Sequence, residues 1–197
     1  MARVWKNRWG GFTADRRRQI ATCQFDALRA VVASESPKLV FFHTLVTHPP
    51  FLFHADGSPR EVRDAVSRKW RPWRPRDHYV DQILLVNGVL DEVIDRILES
   101  SPDAVIVIQG DHGPAGSRAW GEDRSGAYRE RFGILNAIRM PRARQQIYRR
   151  ITPVNTFRVF LREYFGVAVE NLEDGSFLRD EDAEGGFVDV TSLVGSD

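Results

Sequence analysis

Ala104-Val-Ile-Val-Ile, an apolar and mostly β-branched run, constrains this chain more than any other stretch. Such a run is short for a core helix and reads as a strand buried in a sheet. It leads into Gln109-Gly-Asp-His-Gly-Pro114, so the pair Asp111-His112 follows the carboxyl end of the strand. In open α/β sheets ligands gather beyond that end. An adjacent Asp and His offers one hard oxygen and one imidazole nitrogen, a donor set suited to zinc or a similar divalent ion. The same residues also fit a tight turn in which Asp caps a following helix.

Residues 15–33 carry Ile20, Cys23, Leu28, Val31 and Val32 at helical spacing, and Ser34 to Pro37 break the pattern. Lys38 to Leu45 is a second β-prone run, expected to be a strand buried on both faces. Thr47 to Gly57, with two prolines and an Asp-Gly, reads as a loop. Residues 59–76, with three prolines, charge clusters, Trp70 and Trp73, read as a long surface excursion.

Tyr79 to Leu98 is a strongly amphipathic helix with Tyr79, Ile83, Val86, Leu90, Val93, Ile94 and Ile97 on one face. A third strand is expected over Phe132–Ile138, and Phe187–Val190 has the character of an edge strand. Thr152 and Pro153 are N-cap and first-turn residues for a helix that Gly166 should close. Alternating strands and helices predict an α/β layered fold, a largely parallel sheet flanked by helices. The length of 197 residues suits one domain, with residues 1–14 as a flexible basic lead-in.

Charge by itself does not point to nucleic acid as a partner. Lys and Arg number 28 against 27 Asp and Glu, and a net charge of +1 gives no electrostatic footprint for nucleic acid. Arg16, Arg17 and Arg18 read as part of a solvated face, with an anionic partner as the lesser alternative. Cys23, the single cysteine, forms no internal disulfide and reads as a small core residue. No apolar stretch approaches the roughly 18 residues that span a bilayer. As written, nothing takes the chain into or across a membrane.

Histidines supply the remaining candidates. His43, in mid-strand among Phe41, Phe42 and Leu45, reads as a hydrogen-bonded core residue with ligation as the alternative. His48 precedes Pro49-Pro50 in a loop and has less structural reason to be there, whereas His54 and His78 read as surface residues.

Five blocks in order carry a resemblance: His43-Thr-Leu-Val-Thr-His48-Pro-Pro-Phe51, the helix start Tyr79-Val-Asp-Gln-Ile, Gln109-Gly-Asp-His-Gly-Pro114, Glu130-Arg-Phe-Gly-Ile-Leu-Asn136 and Ile151-Thr-Pro-Val-Asn-Thr-Phe157. Together, from about Arg18 to Val190, they resemble the C-terminal half of a sulfatase-like domain of the alkaline phosphatase superfamily. The pattern is most similar to bacterial membrane-anchored members, relatives of lipoteichoic acid synthases and lipid A phosphoethanolamine transferases.

The resemblance implies a partial alkaline-phosphatase-like fold and a metal-dependent hydrolase or transferase of phosphoric or sulfuric esters. It implies Asp111 and His112 as metal ligands, zinc first and Mn, Mg or Ca as alternatives. His48 would contact the transferred group, with His43 as a substrate contact or a support to one. Family members also use an upstream acidic ligand and a Thr, Ser or formylglycine nucleophile, for which this sequence shows no counterpart. The chain is therefore expected to be a fragment or a separately encoded half, inviting association with a missing N-terminal half or with itself. Full-length relatives are extracytoplasmic, while the chain as written would be cytoplasmic.

The alternative is a non-catalytic binding or interaction module that keeps the fold. A calcineurin-like phosphoesterase would need several spaced Asp/His/Asn motifs, including Gly-Asn-His, that are not present.

Overall fold

The computed structural model describes residues 13–61, 75–114, 124–180 and 183–194. Most of the basic lead-in and of the tryptophan-bearing excursion falls outside them. Contacts divide the chain into two compact units, Met1–Ser100 and Ser101–Asp197.

In the first unit, α1 (Ala14–Val32) starts where the Thr13 side chain accepts the Arg16 N–H. It buries Ala21, Phe25, Leu28 and Val32, a stripe at helical spacing, against Val89 and Val93 of α2 (Arg76–Ser100). Val46, Leu52 and Phe53 complete this core from the segment between the helices. Cys23 lies off the stripe and is exposed, so the expectation of a core cysteine is overturned by one helical turn's geometry.

The stripe of α2 is rotated from the one the apolar residues predict. Its buried members are Gln82, Val89 and Val93, because position 82 faces a loop whose backbone needs partners. The Gln82 Oε1 accepts the Phe53 N–H at 3.3 Å, and its Nε2 donates to the Phe53 carbonyl at 2.5 Å. One amide thereby substitutes for a strand partner. Arg18 adds a bond from Nε to the Leu52 carbonyl at 3.1 Å and another from Nη2 to that of Arg60. Arg60 in turn pairs with Asp81. Arg18 thus ties α1 to the loop and is not part of a solvated face.

The run Lys38–Leu45 is not a strand, and among the described residues it has no ladder partner. It packs on α1 by one side only: the Phe42 ring lies 6.5 Å from that of Phe25, and the Gln24 amide donates to the His43 carbonyl at 3.0 Å. The opposite side is open, with Leu39 and Phe41 each 90% exposed. His43 falls in this outward phase and is exposed, which removes the reading of a core histidine.

In the second unit, β1 (Ile106–Gln109) pairs with β2 (Asn136–Arg139), registering Ile106 with Arg139 and Gln109 with Asn136. The pairing is antiparallel. Residues 110–135, which include α3 (Arg124–Phe132), leave and return on the same end of β1, so the chain comes back reversed. The largely parallel sheet expected from the sequence is not formed by the described residues, whose sheets are two antiparallel pairs. The start of the third strand is likewise displaced, since Phe132 still belongs to α3.

A 3-10 segment (Pro141–Gln146) leads to α4 (Pro153–Phe165), which keeps both expected caps. The Thr152 hydroxyl accepts the Asn155 N–H, and Gly166, at φ 65°, ends the helix in the left-handed region. Met140, Ala143, Ile151 and Val159 form the second core, with Val107 and Ile138 of the strands against it. The edge strand expected near Phe187 exists as β4 (Phe187–Asp189), paired antiparallel with β3 (Phe177–Arg179), and α5 (Thr191–Val194) follows. Among the described residues no helix is long and apolar enough to cross a membrane.

The segment after α4 is held by a polar hub. Asn155, fully buried, donates to the Leu172 carbonyl at 2.8 Å and accepts its N–H at 2.9 Å. The Asp174 carboxylate accepts from the Thr152 N–H and hydroxyl, from Asn155 and from the Tyr148 hydroxyl. Burial alone would raise the pKa of Asp174, but the bonds from Thr152, Tyr148 and Asn155 outweigh it and hold the group below its ordinary value. Burial first, and then Asp174, pushes the Tyr148 hydroxyl up.

Two outcomes follow. Gln82→Leu, which strips the Phe53 N–H of its partner and leaves the Phe53 carbonyl only the Arg60 Nε at 3.3 Å, should cost about 2–3 kcal/mol in urea unfolding. A carboxylate whose folded pKa is depressed stabilises fully above its unfolded value and loses that contribution as pH falls through the folded one. Urea midpoints of the wild type should therefore decline below about pH 4 more steeply than those of Asp174→Asn. Equal slopes would show that the hub does not carry the acid sensitivity.

Candidate functional site

Beyond Gln109 the backbone of β1 continues toward α3 without further strand pairing. The Gly110 N–H donates to the Leu135 carbonyl at 2.9 Å, and the Gly113 N–H donates to that of Arg131 at 2.7 Å. A Cβ at Gly113 would stand 1.9 Å from the Glu130 carbonyl oxygen and 2.9 Å from that of Gly133. Real side chains never approach backbone so closely. Glycine is thus required because the last turn of α3 lies directly on this residue.

The same contact fixes what precedes it. Asp111 projects outward with its side chain 88% exposed, whereas that of His112 is 31% exposed. The Asp111 Oδ1 accepts the His112 backbone N–H at 3.0 Å, and the residues on which a capped helix would begin lie outside the described ones. The Asp111 Oδ2 lies 3.6 Å from His112 Nε2. Two ligand atoms on a tetrahedral ion with bonds of ~2.1 Å would be separated by ~3.4 Å. The separation of Oδ2 and Nε2 is near that value.

Arg131 holds the far edge of the ring. Its Nη1 lies 2.6 Å from His112 Nδ1 and donates to the Gly113 carbonyl at 2.8 Å. No group of three or more His, Cys, Asp or Glu side chains suited to a metal occurs among the described residues.

The other two candidates belong to the first unit. His48 is exposed, its N–H donated to the Leu45 carbonyl at 3.0 Å and its Nδ1 2.7 Å from the Pro49 carbonyl. A carbonyl only accepts, so Nδ1 carries the proton. Buried Val46 and Phe51 bracket this turn. His43 is exposed on the open side of its segment. His54 is exposed as expected, but His78 is partly buried and its pKa is lowered, by burial first and then by the charge of Arg60.

The family model described as Sulfatase matches residues 22–157, more than half of the chain and across both units. This chain belongs to the sulfatase family. No curated protein and no solved structure gives a significant match. The family acts on sulfate or phosphate esters and generally uses a divalent metal. Within the matched region lie His43, His48, Asp111 and His112, and also Arg131 and Gly113.

Sequence reasoning assigned no role to Arg131, although it stands in one of the five motif blocks. Its signal was the pairing of Glu130-Arg-Phe-Gly133 with the Asp-His-Gly turn, since two glycines facing one another mark backbones in close approach. Gly113→Ala should destabilise the chain by on the order of 2–3 kcal/mol in urea unfolding, as overpacking against backbone does. A change near zero would mean that α3 is not seated on the loop.

Proposed function

We propose that this chain supplies part of the active site of a metal-dependent hydrolase or transferase of sulfuric or phosphoric esters. The supporting observation is the 3.6 Å separation of Asp111 Oδ2 and His112 Nε2 at the end of β1, inside the region that matches the sulfatase family. In this reading Asp111 and His112 would hold the divalent ion, zinc being the best fit to one carboxylate and one imidazole. When bound, such an ion polarises an ester oxygen and stabilises the charge that develops on it.

The residues of the chain contribute orientation and proton placement. The backbone N–H of His112 fixes one oxygen of Asp111 and leaves the other for the ion. His48, whose Nδ1 lies 2.7 Å from the Pro49 carbonyl, is assigned to the transferred sulfuryl or phosphoryl group on the resemblance of its motif block. When protonated, it donates a charge-assisted bond to an anionic oxygen. His43 is read as a second contact for the same anionic substrate. No nucleophile is assigned within the chain. The similarity to bacterial membrane-anchored members of the family belongs to this same proposal.

Zinc retention tests the assignment. Asp111→Ala should weaken zinc binding by about tenfold or more, measured by calorimetry with the purified chain. His48→Ala should leave it unchanged, because His48 is placed on the substrate. Equal zinc affinity in wild type and Asp111→Ala would refute the metal site and favour a non-catalytic module that retains the fold.

A further inference from the structure

We propose that α4 lays its outward face on an anionic lipid surface, with arginines near both ends of the helix on the headgroups and a row of apolar side chains between them. The inference concerns the second unit alone and does not depend on the metal reading.

Helix α4 has two faces that avoid charge. Asn155, Thr156 and Val159 are buried, whereas Val154, Phe157, Leu161 and Phe165, on the opposite side of the helix, are 56%, 50%, 39% and 66% exposed. A helix at the edge of a core ordinarily turns polar residues outward. Here intervals of three, four and four residues keep the outward side chains in one row. At a rise of 1.5 Å per residue the row is about 17 Å long.

Charge indicates what covers it. From Arg139 to Phe165 the sequence holds seven arginines and one acidic residue, Glu163, although the whole chain carries only +1. Glu163 is paired with Arg162 at 3.1 Å. At the carboxyl end of α4, the Arg142 N–H donates to the Tyr164 hydroxyl at 3.1 Å, and the guanidinium stands 5.5 Å from the centre of that ring. At the amino end, exposed Arg149 and Arg150 precede the Thr152 cap. Arg144, on the 3-10 segment that packs against α4, is exposed as well. Glu170 and Glu173 belong to the segment that runs along the other flank of the helix, bonded to Arg158, Arg162 and Asn155, and so stand away from Arg142.

A second copy of the chain seated on this row would set arginine against arginine, which like-charge repulsion opposes. Four partly exposed side chains also fall well short of the roughly 800 Å² that a specific complex takes from each partner. Nucleic acid would satisfy the charges and leave the row in water. A bilayer surface meets both demands, because apolar side chains enter the boundary between headgroups and acyl chains while guanidinium groups pair with phosphates. Such a contact lies on the membrane and needs no spanning helix.

Vesicle flotation of the full chain tests this. The chain should float with vesicles of phosphatidylglycerol and phosphatidylcholine in equal parts, and not with phosphatidylcholine alone. One arginine near a charged surface contributes roughly fivefold, so Arg142→Gln combined with Arg144→Gln should weaken binding about twenty-fivefold. Phe157→Lys separates insertion from charge, since it adds a cation while removing an apolar anchor. It should weaken binding about fivefold, because the lost burial outweighs the added charge. Val154→Lys repeats the test should Phe157→Lys fail to fold.

Stronger binding by the lysine variant would place charge alone at the surface and overturn the proposal, as would equal flotation with neutral vesicles or none with either kind. A chain that ignores vesicles but binds a DNA oligonucleotide would assign the arginines to nucleic acid. A dimer in sedimentation that Phe157→Lys disperses would assign the row to a second copy. Both results overturn the lipid surface.

Discussion

Where β1 ends, the main chain at Gly113 and the last turn of α3 approach until no side chain fits between them. That contact does more than close a gap. Hydrogen bonds from Gly110 to Leu135 and from Gly113 to Arg131 extend the β1–β2 pairing into the turn, so the residues between them are held on both sides. Asp111 and His112 lie in this span. A pair of side chains on a loop keeps its direction only where a scaffold fixes the backbone, and here the scaffold is helix backbone pressed on glycine. Neither a bulky core nor a long sheet is involved, because β1 and β2 are short and only half-buried.

How much of this was legible depended on whether the deciding interaction was local. Helix α4 was legible almost to the residue, because Thr152, Pro153 and Gly166 each act within a turn of their own position. The run Lys38–Leu45 was misread because hydrophobicity and β-branching report fitness for a sheet and do not supply a neighbour. With α1 on one side only, half of that run, His43 included, faces outward. The face of α2 was legible in Val86, Val93 and Ile97, which lie in or against the core, but not in Val89 or Gln82, which are buried. Gln82 looks like a surface residue until the unpaired groups of Phe53 are brought against it.

The candidate site divides in the same way. Asp111 and His112 were singled out by their place after a strand and by the order of five motif blocks, and the structure puts Asp111 Oδ2 3.6 Å from His112 Nε2. Arg131 was quoted in a motif yet carried no meaning in sequence, since its importance lies in reaching back across residues 113–131 to a ring nitrogen. Arg18 erred in the other direction. It sat in a run of arginines that resembles a solvated face, but it is aimed at two carbonyls of the loop beyond α1. In both cases charge patterning described the residue and geometry decided its use.

Each unit uses one buried amide in place of strand pairing. Gln82 takes both backbone groups of Phe53, and Asn155 takes both of Leu172. A carboxamide presents an acceptor and a donor side by side, as a neighbouring strand does, but needs no second strand. This matters for a chain whose described strands are few and whose functional candidates stand on loops. In the first unit the amide fixes Phe53, and Phe51 and Leu52 beside it are buried with Val46. His48 is thus carried on a turn anchored at both ends, although it belongs to no regular element. A histidine in such a turn keeps a defined backbone although it is exposed, because the ordering cost has been met by the buried residues on either side.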